Sequence, residues 1–286
     1  MKKLVLFFAF SLSVFCGSAQ ELENSLLWEI SGNGLEKSSY LFGTIHITCD
    51  ASLSDEVKKA MDNTSQLVLE IDMDDPQMQM KMMRGMRMKE GKSLKDFLND
   101  EEFAAVDSLF QKNMGMSVAM LQTVKPMLLN SMLIPKLLDC AGQSVESELM
   151  KIAKAQQEDI NGLETIEYQL AVFDEIPYED QAKELAKSAK DNLAESKEAL
   201  SKLMKIYNTQ NITGMLEMMH EGEDNMMAKH QDKMFDTRNK NWISEIGKYA
   251  KEQPTFFGVG AGHLAGENGV INLLRNAGYT VKAINN

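Results

Sequence analysis

Cysteine, histidine and positive charge are all in short supply in this chain. Three cysteines in 286 residues allow one disulfide, between Cys49 and Cys140 once the N-terminal Cys16 is set aside, and no framework of several bridges. Whether those two meet is open at the level of sequence. Basic residues number 30 against 42 acidic ones, for a net charge of −12. Such an excess of acid argues against nucleic acid and against anionic membranes as partners. Beyond the N-terminus no apolar run is long enough to span a bilayer. Met127–Leu138 comes nearest, and Asn130, Pro135 and Lys136 interrupt it. There is no fixed-period repeat and no flexible Gly/Ser linker.

What is present begins with an export signal. Lys2 and Lys3 precede the apolar run Leu4–Phe15, and Gly17-Ser18-Ala19 supplies the small residues that a signal peptidase requires. Cleavage after Ala19 is expected, which removes two lysines and no acid and takes the net charge from −12 to −14. Cys16 raises a lipoprotein alternative that the bulky Phe15 before it disfavours. The mature chain is expected to be periplasmic or secreted, with residues 20–286 as a single domain.

Strand signals lie at both ends of that domain. Leu26–Ile30 and Ser39–Phe42 flank the turn residues Gly32-Asn33-Gly34 and read as a hairpin. Gln66–Ile71 is nearly all apolar, as in a strand buried on both faces. Ser54 is placed to cap a short helix that runs to Met61. From about 76 to 253 the chain reads as mostly helical, interrupted by a strand-like Asp159–Leu163. The expected helices include Glu101–Lys112, Ser144–Ala155, a segment Val118–Cys140 broken near Pro126 and Pro135, and one long charged helix from Tyr178 to about Ile206. At the C-terminus, Thr255–Gly260, Glu267–Ala277 and Tyr279–Ile284 read as strand, helix and strand, with Gly278 closing the helix. A βαβ unit of that length predicts parallel strands. The expected fold is α/β, with a mixed or parallel sheet built by the two ends of the chain and a large helical middle.

Two of the four histidines follow a glycine at the same spacing, in Gly43-Thr44-Ile45-His46 and Gly260-Ala261-Gly262-His263. Both motifs follow a predicted strand directly. Glu70 sits near the end of another, where an unpaired carboxylate is costly. In α/β sheets, ligands gather beyond the carboxyl ends of the strands. Two imidazoles and a carboxylate delivered there have the makings of a metal site with open positions. Blander readings stand beside this one: either histidine as a hydrogen-bonded turn residue, and Glu70 as a helix cap or the partner of Arg238.

These residues also resemble a known family. Leu41-Phe42-Gly43-Thr44-Ile45-His46 with Glu70, and the run Gly260–Val270 followed by Leu273–Tyr279, are similar to the TraB/GumN family, which includes the animal Tiki metalloproteases. Gly162-Leu163-Glu164-Thr165, Gln169, Arg238-Asn239 and Trp242 extend the resemblance over most of the mature chain. It implies a TIKI-like α/β core with helical insertions. It also implies a divalent cation (Mn, Co or Zn) at His46, Glu70 and His263, with Glu164, Gln169, Arg238 and Asn239 at or near the cleft. The activity so implied is hydrolysis of a peptide or protein substrate.

In that chemistry the cation polarises a carbonyl and acidifies a water, and a carboxylate accepts the proton. Glu164 and Glu267 are the candidate bases, although Glu267 also reads as an acid placed at a helix N-terminus. Arg238 would stabilise an oxyanion or clamp a substrate carboxylate, or else form an internal ion pair. Two other functions are kept in view. One is peptide sequestration in the same cleft without turnover. The other is copper binding by the Met-rich stretches Met73–Met88 and Met215–Met234, the latter with His220 and His230. Core and surface filling by methionine is the ordinary reading of such stretches.

Overall fold

The computed structural model describes residues 22–221 and 226–285. The expected leader, with Cys16 and the cleavage point after Ala19, lies outside the described residues.

Six strands form one mixed sheet: β1 (Leu27–Gly32), β2 (Ser39–Thr44), β3 (Gln66–Ile71), β4 (Asp159–Glu164), β5 (Phe256–Gly260) and β6 (Tyr279–Ile284), in the order β4-β3-β5-β2-β1-β6. β4, β3, β5 and β2 are mutually parallel, with Ile71 beside Glu164, Leu69 beside Gly258 and Thr44 beside Gly260. Four strand ends therefore open on one edge of the sheet. β1 turns back antiparallel on β2 as the hairpin predicted, and β6 lies antiparallel to β1. β5 and β6 thus run in the same direction, as a βαβ unit requires, but β2 and β1 are inserted between them. The interior positions of β3, Leu67, Val68 and Leu69, are fully buried, which accounts for its almost uninterrupted apolar run.

The sheet core holds Trp28, Leu41, Phe256, Phe257 and Trp242, all fully buried. The helical middle has an apolar cluster of its own around Leu94, Val106, Phe110, Leu129 and Leu185. Ser54 caps Asp55–Asp62 as expected, accepting from the Val57 N–H. One of the long helices is corrected. Tyr178 to Ile206 is two helices, Tyr178–Lys190 and Ala194–Asn208, parted where Asn192 and Leu193 take φ of 56° and 69°. The Asp191 side chain accepts from the Leu193 and Glu195 N–H groups there, and Leu193 is buried in the helical core. These contacts offset a conformation that Leu alone disfavours. Val118–Cys140 is broken near both prolines as expected, into a 3₁₀ turn (Val118–Leu121), a helix that Pro126 starts (Pro126–Leu133), and a second 3₁₀ turn at Ile134–Leu137. Proline lacks an N–H and suits the first helical position, where that donor has no partner. Among the described residues no helix is long and apolar enough to cross a membrane.

Candidate metal centre at the strand ends

The parallel register decides which side chains meet. β2 ends at Thr44, two residues before His46. β3 carries Glu70 at its last turn of pleat. β5 ends at Gly260 and passes into the 3₁₀ turn Ala261–His263. The two motif glycines are needed for space. A Cβ on Gly43 would stand 2.7 Å from Leu264 Cδ1, and one on Gly260 would stand 3.2 Å from Glu70 Oε1, 3.6 Å from His263 Cδ2 and 3.9 Å from His46 Nε2. The three predicted ligands therefore surround one point beside Gly260 that a side chain there would fill.

Each imidazole is held by its Nδ1. His46 Nδ1 lies 2.6 Å from Glu146 Oε1, and a carboxylate can only accept, so Nδ1 carries the proton. His263 Nδ1 lies 2.6 Å from Asn239 Oδ1. The Asn239 amide nitrogen donates to the Asn268 carbonyl at 2.8 Å, which leaves its oxygen to accept from the ring. Arg238 Nη1, which can only donate, stands 3.3 Å from His263 Nε2. Both rings thus aim Nε2 inward while a second partner fixes the orientation, the arrangement that ligating histidines adopt.

Glu70 is fully engaged. Oε1 accepts the Gly260 N–H at 2.8 Å and lies 3.7 Å from His263 Nε2, and Oε2 accepts from Gln169 at 3.0 Å and from Arg238 Nη2 at 2.7 Å. Arg238 is gripped in turn by Glu164 through Nε and Nη2, with Glu164 also accepting from the Trp242 indole at 2.9 Å. Among the described residues no three His, Cys, Asp or Glu side chains form a ready-made metal cage. Glu70 Oε2 is taken by the Arg238 guanidinium instead. The donor set suits a cation that displaces the proton from His46 Nε2 and the Arg238 donor from His263 Nε2: two ring nitrogens and one carboxylate oxygen around a cradle that glycine keeps open.

Burial raises the Glu70 pKa, but the charges of His263, Arg238 and His46 and the Gly260 N–H outweigh it and hold the group at about 2. Burial, with Arg238 and His46, drives His263 down to about 3 against the pull of Glu70. With His263 neutral, Arg238 and His46 are the cations that keep Glu70 ionised. The Glu146 hydrogen bond raises His46 to about 9. An unfolded chain protonates His263 below about 6.5 and Glu70 below about 4.5, so the stability these groups contribute is present above those values and lost as pH falls toward 3 and 2. The His46 contribution is present below 6.5 and lost as pH rises toward 9, more weakly because its ring is open to solvent. The urea midpoint is expected to be highest near pH 6.5 and to fall steadily to pH 3. An unchanged midpoint from pH 7 to pH 4 would contradict this assignment.

Of the other predicted residues, Gln169 lines the cleft and Asn239 and Glu164 stand behind it as supports. Glu267 does not join them. It is exposed, lies in the loop before the helix Val270–Asn276 rather than at that helix's start, and is not part of the cavity wall. Sequence reasoning missed Glu146, which accepts from His46, Thr44 and Ser144. Its position as the second residue of a Ser-capped helix is an ordinary one for an acid and carries no separate signal. Cys49 and Cys140 do form a disulfide.

The site opens into a cavity of about 1060 Å³. One wall carries Met215, Met219, Met226, Met227 and Met234, so this stretch supplies flexible apolar lining. Its two histidines are engaged separately, His220 with Gln231 and the buried His230 with Asp180.

A family model described as the TraB/PrgY/gumN family matches residues 26–283. No curated protein and no solved structure matches the chain.

Proposed function

We propose, for a chain that belongs to the TraB/PrgY/gumN family, that it is an exported metal-dependent hydrolase acting on peptides through His46, Glu70 and His263. The observation that carries this reading is the meeting of those three side chains around Gly260, at the ends of parallel strands. Two imidazoles and a carboxylate suit zinc, manganese or cobalt. A divalent cation bound there supplies Lewis acidity, which polarises a scissile carbonyl and eases deprotonation of water.

The protein's own residues hold and shape that centre. Asn239 fixes the tautomer of His263, and Gln169 and the Gly260 N–H orient Glu70. Arg238 directs its donors to Glu164, Glu70, His263 and the Met234 carbonyl. It therefore anchors the site rather than reaching out to clamp substrate. Glu164 has both oxygens occupied inside the protein and serves as the anchor of Arg238, not as a base facing the cleft. The large apolar cavity gives room for an extended chain with bulky side chains. The leader expected at the N-terminus and the Cys49–Cys140 bridge both accord with an oxidising compartment.

The test is elemental analysis of the purified protein, with peptide turnover before chelation, after chelation, and after manganese, cobalt or zinc is returned. One bound equivalent is expected, with activity lost and regained. His46→Ala and His263→Ala are each expected to lose the metal and keep a native circular dichroism spectrum. Parent-like metal content in both variants would end the reading. Peptide binding without cleavage, whatever the metal, would reassign the cleft to sequestration.

A further inference from the structure

The His46 ring is 73% exposed to the cavity, and among the described residues its one hydrogen bond is to Glu146. With no second hydrogen bond among the described residues, the angle of the ring rests on Glu146. Glu146 is the reverse: its side chain is 7% exposed and its carboxylate is held from three sides. Oε1 accepts from Thr44 Oγ1 at 2.7 Å as well as from His46, and Oε2 accepts from Ser144 Oγ at 2.7 Å. An acid serving only the start of the helix Val145–Gln156 could remain in solvent, where burial costs nothing. Glu146 is instead buried and turned toward the end of β2.

The backbone around it is clamped to the His46 loop. Thr48 and Gln143 exchange N–H···O bonds of 2.9 and 2.8 Å, the Gln143 side chain accepts from the Ala51 N–H at 3.2 Å, and Cys49 is bonded to Cys140. The loop that carries the imidazole and the loop that carries its carboxylate therefore move as one piece.

We infer that Glu146 is the positioning residue of His46, held in register by the Thr48–Gln143 pair and the Cys49–Cys140 bridge, and that it sets the direction in which His46 Nε2 meets Glu70 and His263. This rests on the proposed use of His46 as a ligand, but it can be tested apart from it. In the metal-free full chain with ¹⁵N-labelled histidine, the His46 Nδ1–H is expected to give a downfield, exchange-protected resonance. Glu146→Ala should abolish that resonance, and Glu146→Gln, which keeps an acceptor, should restore it in part. Unshifted His263 resonances report that the fold survives. Titration with Mn²⁺ or Zn²⁺ is expected to show affinity about 10–100-fold weaker in Glu146→Ala and less weakened in Glu146→Gln. A His46 resonance that is unaltered in Glu146→Ala overturns the inference. A resonance that is lost in Glu146→Ala, together with a parent protein that binds no metal, upholds the positioning and refutes the metal reading instead.

Discussion

Arg238→Met is expected to destabilise the protein by about 3–5 kcal/mol at neutral pH, the range seen when one partner of a buried ion pair is removed. Arg238 is only 10% exposed, and its guanidinium stands between two carboxylates that are 11% and 6% exposed, Glu70 and Glu164. It also lies 4.9 Å over the Trp242 ring. Methionine refills much of the volume but leaves both anions buried. Gly260 and Gln169 still donate to Glu70, and Trp242 still donates to Glu164, but no positive charge remains between them. The escape is protonation, so the penalty should shrink as pH falls through the carboxylate range. Arg238→Lys should recover little, because one ammonium cannot fork to Glu164 through two nitrogens while also meeting Glu70. Urea denaturation at pH 7 and pH 4.5 checks both statements. A loss below 1 kcal/mol at pH 7, or one independent of pH, would mean that the cluster is solvated far better than its burial indicates.

Removing the disulfide is the second large change. The double variant Cys49→Ser, Cys140→Ser opens a loop whose ends are 91 residues apart in sequence. The chain-entropy relation assigns a closure of that length about 4–5 kcal/mol. Two helices between the two cysteines, Asp100–Met114 and Pro126–Leu133, pack in the second apolar cluster, with Phe110, Leu129 and Leu133. The bridge is therefore the covalent tie between that cluster and the edge of the site. Equilibrium unfolding of the oxidised parent against the double variant measures the loss. Because the two segments also share the Thr48–Gln143 pair, the native fold should persist in the variant while the His46 loop exchanges its amides faster. Equal midpoints for the two proteins would show that the reduced chain is already as constrained as the oxidised one.

The chemistry of the site was divided unevenly between local and distant signals. The Gly-x-x-His motifs stood out because close packing at a strand end requires glycine, and that requirement is visible in four consecutive letters. Glu70 was legible as a lone acid in an apolar strand. Glu146 was not, because an acid in the first turn of a helix is commonplace and its partner is 100 residues away. Glu164 and Arg238 were both singled out, and an internal ion pair with Glu70 was among the readings of Arg238, but the pairing with Glu164 was not. Only the packing shows that Glu164 gives its oxygens to Arg238 and Trp242 and that Arg238 spends its donors inside the protein, which turns a candidate base and a candidate clamp into a structural pair. Glu267 drew notice from its spacing after His263, yet the chain turns at Gly266 (φ 96°) and leaves it in solvent.

The positions of the strands, the two histidine-bearing turns and the α/β class follow from short-range patterns: apolar runs, glycine at turns, a serine at a helix start. These patterns act through steric and solvation preferences of adjacent residues, so they can be read along the chain. Which strands lie side by side could not be read that way. Nothing local says that the hairpin enters between β5 and β6, that Asp191 and Leu193 break a long helix, or that Cys49 finds Cys140. Those outcomes depend on which buried faces fit one another across the whole molecule. The folded structure alone placed Arg238 between two carboxylates and Glu146 behind His46.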